Sequence, residues 1–382
     1  MDFKRMFDFS NMDDKTKGMI KITIILIGIF VAFILFFVIY KAIFGSALSY
    51  DKIENIMVRS AKQYVNNHPE KVEGSIYGTV EIKVSDLIAE GYMKDMSKYT
   101  KKDVMCSGSV LVFKNLDDYS YSPKLDCGEA YKYKNLTDEI TKEENIVTSD
   151  NGLYKVETGE PYYIFRGENV DNYLKINNNL YRIMRIDENG NIRLFSEDIG
   201  EPFPWDNRYN IDSKYDAGIN DFEGTQASRI KDKILSVYND EEIFTKDVKS
   251  LIIPQEFCIG KRTEKDIDNT GSIECSKKSE LMGAGTIALY EYFQVSLDPN
   301  CFSSLTPSCK NYNYLAKYSK RYWTLTAAVE DSKYVYAIAD NAYATKALTY
   351  AYLHLVITIN GNVNYIGGTG TLNDPYIVKP IV

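Results

Sequence analysis

Two tryptophans and their neighbours are the residues of this 382-residue chain best suited to recognition chemistry. Trp205, Asp206, Asn207 and Tyr209 stand close together, and Tyr322 and Trp323 form a second aromatic pair further along. Aromatic faces stack on sugar rings and peptide planes, while flanking carboxylates and amides supply hydrogen bonds. The six residues together make a candidate platform for a glycan or a peptide. A second expectation competes with it, because Trp and Tyr also serve as core or half-core residues. Between Asp206 and Asp221, the side chains of Asn207, Asp212, Asp216 and Asn220 add hard oxygen ligands of the kind calcium takes. Their spacing is not that of an EF-hand loop, and a solvated loop is the better reading.

Catalytic chemistry has less to work with. The chain holds only two histidines, His68 and His354, and they fall in different predicted domains. A two-His metal site and a Ser-His-Asp triad therefore lack support. His354, flanked by Leu353 and Leu355, reads as a half-buried strand residue. Gly-x-Ser-x-Gly, His-Glu-x-x-His and phosphate-binding Gly-Lys-Ser patterns are all absent. A pair of carboxylates can hydrolyse a glycosidic bond. Among 53 acidic residues the sequence singles out no pair, and Glu291 and Asp298 read equally well as solvated. No cofactor is called for, and the reading leans away from an enzyme.

Whatever these residues do, they are held at a membrane. Ile22 to Tyr40 is an uncharged apolar run bounded by Lys21 and Lys41. At about 1.5 Å per residue, such a helix covers roughly the 30 Å hydrocarbon core, so the lipid bilayer is the first expected partner. A cleaved signal peptide has an apolar region of only about 7–15 residues. Ser46-Ala47 offers a small-residue cleavage site, but the length of the run favours a retained anchor. Lys4, Arg5, Lys15 and Lys17 place the N-terminus on the cytoplasmic side. All six cysteines follow the run and none forms a Cys-x-x-Cys pair, which suits disulfides in an oxidising compartment. The expectation is a single-pass cell-membrane protein whose C-terminal region is extracytoplasmic. Beyond Phe44 there are 39 basic and 49 acidic residues, a net of −10, which disfavours nucleic acid as a partner. The 31 tyrosines accompany abundant Lys, Asn and Ile, as an AT-rich genome produces, and they also suit half-buried strands.

Periodicity and turn residues divide the chain into a tail (1–18), a transmembrane helix (19–44), a stalk helix with a small sheet domain (45–132), a polar linker (133–160) and a larger mixed α+β domain (161–382). Leu48 to Asn67 is expected to continue the membrane helix as an amphipathic stalk that Pro69 ends. Val80, Ile82 and Val84 alternate as a strand, Ser85-Asp86 caps a short helix from Leu87 to Glu90, and Val110 to Phe113 forms another strand. Cys106 and Cys127 bracket that strand and a turn-rich segment, so a bridge between them would close the sheet. In the larger domain, segments at 173–176, 180–186 and 192–195 form a meander. Ser228 to Tyr238 and Leu281 to Leu297 read as helices, followed by strands at 322–326, 334–339 and 355–359. Cys258–Cys275 and Cys301–Cys309 are the local choice among the three connectivities open to four cysteines.

Two resemblances follow from these segments. Residues 17–131, a membrane helix leading into an amphipathic helix and a small antiparallel sheet with a late disulfide, resemble a type IV pilin or pseudopilin. Lys17-Gly18-Met19 matches the family's processing point, but Thr23 stands where its Glu belongs and Lys21 is foreign there. The resemblance therefore implies a shape rather than processing and pilus assembly. The order of meander, Trp205-Asp206-Asn207, helices, Tyr322-Trp323-Thr324-Leu325-Thr326 and a final strand resembles single-pass surface-protein domains of Gram-positive bacteria. Those domains have a loosely C-type-lectin-like or formylglycine-generating-enzyme-like organisation. The tail from Gly367 to Val378, with Asn373-Asp-Pro-Tyr376, is similar to an edge found in bacterial surface and adhesin modules. Together the resemblances imply a membrane-anchored binding or adhesion protein for glycan or envelope components. A structural pseudopilin-like component and a cell-envelope hydrolase remain the alternatives.

Overall fold

Helix α1 (Asp14–Phe44) is apolar on every side between Lys21 and Lys41, and none of the stretch Gly18–Phe37 is buried against the rest of the chain. Its 20 residues measure about 30 Å, which is consistent with a single-pass membrane anchor. The structure is a computed structural model and describes residues 13–44, 47–72, 79–116, 118–157, 159–197, 200–209, 217–223 and 228–379. Residues 1–12, which carry Lys4 and Arg5, and Ser46 lie outside those described. The stalk is not a continuation of the anchor. Helix α1 ends at Phe44, residues 47–49 are not helical, and Ser49 in an extended conformation opens helix α2 (Tyr50–Asn67).

Helix α2 earns its place by burial. Ile53, Met57, Ala61, Tyr64 and Val65 recur at helical spacing and are at most 8 % exposed. Burying each larger apolar side chain contributes about 1.5–3 kcal/mol, well above what helix propensity supplies over so short a segment. The surface they meet is an antiparallel sheet of β1 (Thr79–Lys83), β2 (Ser107–Lys114) and β3 (Tyr119–Asp126), in that order. Helix α3 (Val84–Ala89) follows β1 directly, beginning one residue before the expected Ser85-Asp86 cap. The segment expected to be a turn before Pro123 is largely strand. Pro123 pairs opposite Val110 and is tolerated because β3 is an edge strand, where a missing N–H costs no ladder bond. Cys106–Cys127 ties the start of β2 to the end of β3, as expected.

The polar linker is not a linker. Helix α4 (Leu136–Ile140) buries both its end residues completely in the larger core, and β4 (Gly152–Val156) pairs with β5 (Tyr162–Arg166) in the main sheet. Sparse apolar residues in a charged stretch looked unable to support structure, yet Leu136, Ile140 and Leu153 are the ones that point inward. The meander is present as β6 (Tyr173–Ile176), β7 (Asn179–Ile186) and β8 (Ile192–Ser196), with Asn177 at φ 52° and Gly190 at φ 78° in its turns.

After β8 come β9 (Phe203–Pro204), α5 (Arg229–Asn239), α6 (Lys246–Lys249), β10 (Gln255–Cys258) and β11 (Lys278–Met282). They lead to α7 (Leu289–Gln294), then β12 (Tyr322–Ala327), β13 (Tyr334–Ile338), β14 (Ala342–Lys346) and β15 (Tyr350–Ala351). The last strands are β16 (Val356–Ile359), β17 (Tyr365–Gly367) and β18 (Tyr376–Val378). The main sheet runs β16-β8-β7-β6-β18-β17, with β5 beside the end of β7 and β4 outside β5. Its strands pair antiparallel except for β18 with β6. β12, β13 and β14 form a separate antiparallel sheet. The long helix expected over 281–297 is replaced by β11, an extended run and the short α7. Gly285 explains part of this: its N–H and C=O both bond Val356, and a Cβ there would stand 2.5 Å from the Phe257 ring. The apolar character of the segment reflects burial on two sides, which periodicity alone cannot tell from a helix.

The two domains are joined through side chains. Tyr131 donates its hydroxyl to Glu54 on α2 at 2.6 Å and accepts from the Asn364 amide at 3.0 Å. Lys379, just past β18, pairs with both Asp51 and Glu54. Glu54 is only 2 % exposed, so this carboxylate is neutralised by the far end of the other domain. Phe113 of β2 also packs into the larger core.

Candidate functional site

Four of the six aromatic-platform residues are buried. Trp205, Asp206, Tyr322 and Trp323 have no exposed surface, whereas Asn207 and Tyr209 face solvent. The Trp205 indole donates to the Thr324 carbonyl (3.1 Å), the Trp323 indole to the Phe203 carbonyl (2.9 Å), and the Tyr322 hydroxyl to the Leu315 carbonyl (2.8 Å). These aromatics bind the β9 region to β12 and satisfy their polar tips on backbone, so they offer no open face for stacking. Asp206 is committed as well, pairing with Arg208 and accepting from the Arg229 N–H at the start of α5.

The described residues of the acidic loop are engaged elsewhere. Asn220 is buried and donates to the carbonyls of Ala328, Asp331 and Tyr334, and Asp221 pairs with Lys277. Asp212 and Asp216 lie outside the described residues. Among the described residues no group of three or more His, Cys, Asp or Glu is disposed to hold a metal. The histidines are also structural in placement. His354 is 1 % exposed rather than half-buried; its Nδ1 lies 2.6 Å from the Ser196 carbonyl and its ring stacks on Phe195. His68 ends α2 in the small domain, near Glu70 and Glu90.

A polar cavity of about 230 Å³ opens elsewhere, between the β7–β8 hairpin, β10 and α7. At its base Arg193 of β8 grips Glu291 of α7 with two hydrogen bonds, one of 3.0 Å between Nη2 and Oε2. The Glu291 carboxylate also accepts the Ala288 N–H at the start of α7 (2.9 Å), so it is buried and engaged rather than solvated. Desolvation works against the Arg193 charge, but Glu291 more than offsets it and holds the guanidinium above its ordinary value. At the rim, Asp187 closes the hairpin turn by accepting from the N–H groups of Asn189 and Asn191. Burial nevertheless pushes the Asp187 carboxyl up from its ordinary value. Arg185 pairs with Glu188, and Lys278 with Glu256. Of the charges lining this cavity, Asp187 alone has no cationic partner among the described residues; the N–H groups of its own turn and the Asn191 amide hold it instead.

Three lining groups are not spoken for. The side-chain amides of Gln255 and Gln294 and the hydroxyl of Tyr290 make no side-chain hydrogen bond among the described residues. Burial pushes the Tyr290 hydroxyl well up, so it stays protonated and able to donate. None of these residues stood out in the sequence, because Gln and Tyr on loop-like or apolar segments carry no spacing signal.

Behind Tyr290 lies the Cys258–Cys275 loop, whose Gly271 packs against the Tyr290 ring. This loop holds a second buried pair, Arg262 and Glu274, both without exposed surface and 3.5 Å apart at Nε and Oε1. Neither Glu274 carboxylate oxygen nor Arg262 Nε or Nη1 makes a hydrogen bond of ordinary geometry. Burial lifts the Glu274 carboxyl to about 7, opposed by the Arg262 charge. The third disulfide, Cys301–Cys309, closes a neighbouring loop. Neither a family model, nor a curated protein, nor a solved structure matches the chain.

Proposed function

We propose that the chain is a membrane-anchored binding protein that holds its larger domain on the extracytoplasmic side and takes a glycan or envelope fragment in the cavity beside α7. Three disulfides support the oxidising side, and α1 supports the tether. The observation that carries the reading is the character of the cavity. Its charges are ion-paired except for Asp187, which the hairpin turn engages, while two amides and a phenol remain uncommitted, which suits a neutral, hydroxyl- or amide-rich ligand better than an ion. The buried aromatics Trp205, Tyr322 and Trp323 support the fold around this cavity rather than the ligand.

The test uses the full chain in detergent micelles, titrated calorimetrically with soluble disaccharide-peptide fragments of peptidoglycan and screened on an envelope-glycan array. Gln255→Leu with Gln294→Leu should weaken capture at least about tenfold, the equivalent of roughly 1.4 kcal/mol, with the melting curve unchanged. Silence across the array and the fragments, or capture that survives the double substitution, would sink the assignment. Turnover of the fragments by the wild-type chain would move it to the hydrolase class. A structural reading keeps one supporting observation, the packing of α2 on a three-stranded sheet closed by Cys106–Cys127, which has a pilin-like outline.

A further inference from the structure

The small domain carries a basic, apolar-tipped face beside the point where the chain leaves α1. Leu48 donates its N–H to the Tyr99 carbonyl at 2.8 Å, which fixes the segment around Tyr99 next to the start of α2. Three residues separate Phe44 from Leu48, so four Cα-to-Cα steps give a reach of at most about 14 Å. The segment is therefore held near the end of the apolar helix whatever angle that helix takes.

Its composition runs against the rest of the chain. Residues 94–105 contain Lys94, Lys98, Lys101 and Lys102 against Asp95 and Asp103, while everything beyond Phe44 sums to −10. These lysines are exposed, as is Lys83 beside them, and none makes an ion pair among the described residues. Asp95 directs a carboxylate oxygen to the Ser97 N–H, which leaves Asp103 as the other acid of the segment. At the tip stands Met105, 91 % exposed and the most exposed large apolar side chain among the described residues. The Cys106–Cys127 disulfide ties down the backbone next to it. Lys83, Lys101, Lys102 and Met105 border an open hollow of about 730 Å³ that Ile88 and Met96 also line; its two acids, Glu81 and Asp95, accept from the Ser109 hydroxyl and the Ser97 N–H.

We propose that this face docks on anionic lipid headgroups around the anchor, with Met105 entering the headgroup boundary and the lysines contacting phosphates. Lysines near a membrane surface feel the potential of anionic lipids within about a Debye length, and an unpaired methionine at the same edge gains by leaving water. The proposal rests on α1 spanning the bilayer. It gives the small domain a fixed seat on the membrane, so that the stalk does not swing freely.

The full chain is reconstituted in nanodiscs of phosphatidylcholine alone or mixed with phosphatidylglycerol, and lysine acetylation is followed by peptide mass spectrometry. Lys98, Lys101 and Lys102 should acetylate several-fold more slowly in the anionic discs. Lys265, exposed on the larger domain, supplies the internal reference and should not change. High salt should remove the protection and Met105→Ser should weaken it. Equal rates in the two kinds of disc would overturn the proposal, as would protection that appears in detergent and grows with protein concentration, which would indicate a second copy as the occupant. Failure of the chain to enter discs at all would overturn the anchor reading instead, and the two failures are distinguishable.

Discussion

Replacing Glu274 with glutamine should flatten the pH dependence of stability between about pH 4.5 and about 7, because that is where its native and unfolded titrations part. The Glu274 carboxyl has no exposed surface, and burial lifts it from 4.5 to about 7 despite Arg262 at 3.5 Å. Between those values the native chain keeps a proton that the unfolded chain has released. Stability therefore falls as pH rises, by about 1.4 kcal/mol per unit, and the full loss is on the order of 3 kcal/mol. The sign is opposite to that of a salt-bridged aspartate. The contribution of Glu274 is complete below its unfolded value and gone once pH has passed its folded value. A glutamine at this position has the same outline and no charge at any pH. Wild type and variant should match near about pH 4, and the variant should be more stable by on the order of 3 kcal/mol near about pH 8. Urea unfolding of the detergent-solubilised chain, followed by the fluorescence of buried Trp205 and Trp323, measures the difference at each pH. Parallel profiles, or a variant that is weaker at the alkaline end, would refute the reasoning, since they would mean that the ionised pair with Arg262 compensates its own desolvation.

Two more outcomes follow from the packing. Lys379→Met should cost about 3 kcal/mol and expose the junction between the domains to protease, because it strands the Glu54 carboxylate, 2 % exposed, with only Tyr131 beside it. Burial opposes the Lys379 charge, but hydrogen bonds to Asp51 and Glu54 prevail and raise its titration. The junction should hold throughout the range below the ordinary lysine value of about 10.4 and loosen only as pH climbs through the raised folded value. Trp323→Ala should destabilise the larger domain by about 3–5 kcal/mol and flatten its near-ultraviolet dichroism. Retained folding with a selective loss of glycan capture would instead restore the aromatic platform.

Local signals in the chain carried far. The apolar run, the amphipathic Ile53-Met57-Ala61 face and the meander with its Asn177 and Gly190 turns follow from spacing within a few residues, and each disulfide joins cysteines that are neighbours in the order of the chain. Misreadings arose where the deciding contact is remote. Residues 133–160 fold because Leu136, Ile140 and Leu153 meet a core built from later strands, and residues 281–288 stay extended because Gly285 lies on Val356 and Phe257. The cavity was illegible for the same reason. Arg193 and Glu291 are 98 residues apart, and nothing in either neighbourhood announces the other. The tryptophans illustrate the converse, since residue type alone suggested recognition where burial assigns support.

The pairing of Lys379 with α2 bears on how the molecule would respond to being pulled. β18 lies parallel beside β6, and directly after it the chain is clamped to Asp51 and Glu54. Tension applied to the larger domain would have two routes to α1, one along the backbone through α4 and one across this clamp. Rupture would require the side-by-side ladder and the ionic clasp to yield together, and a load shared in this way favours grip over release.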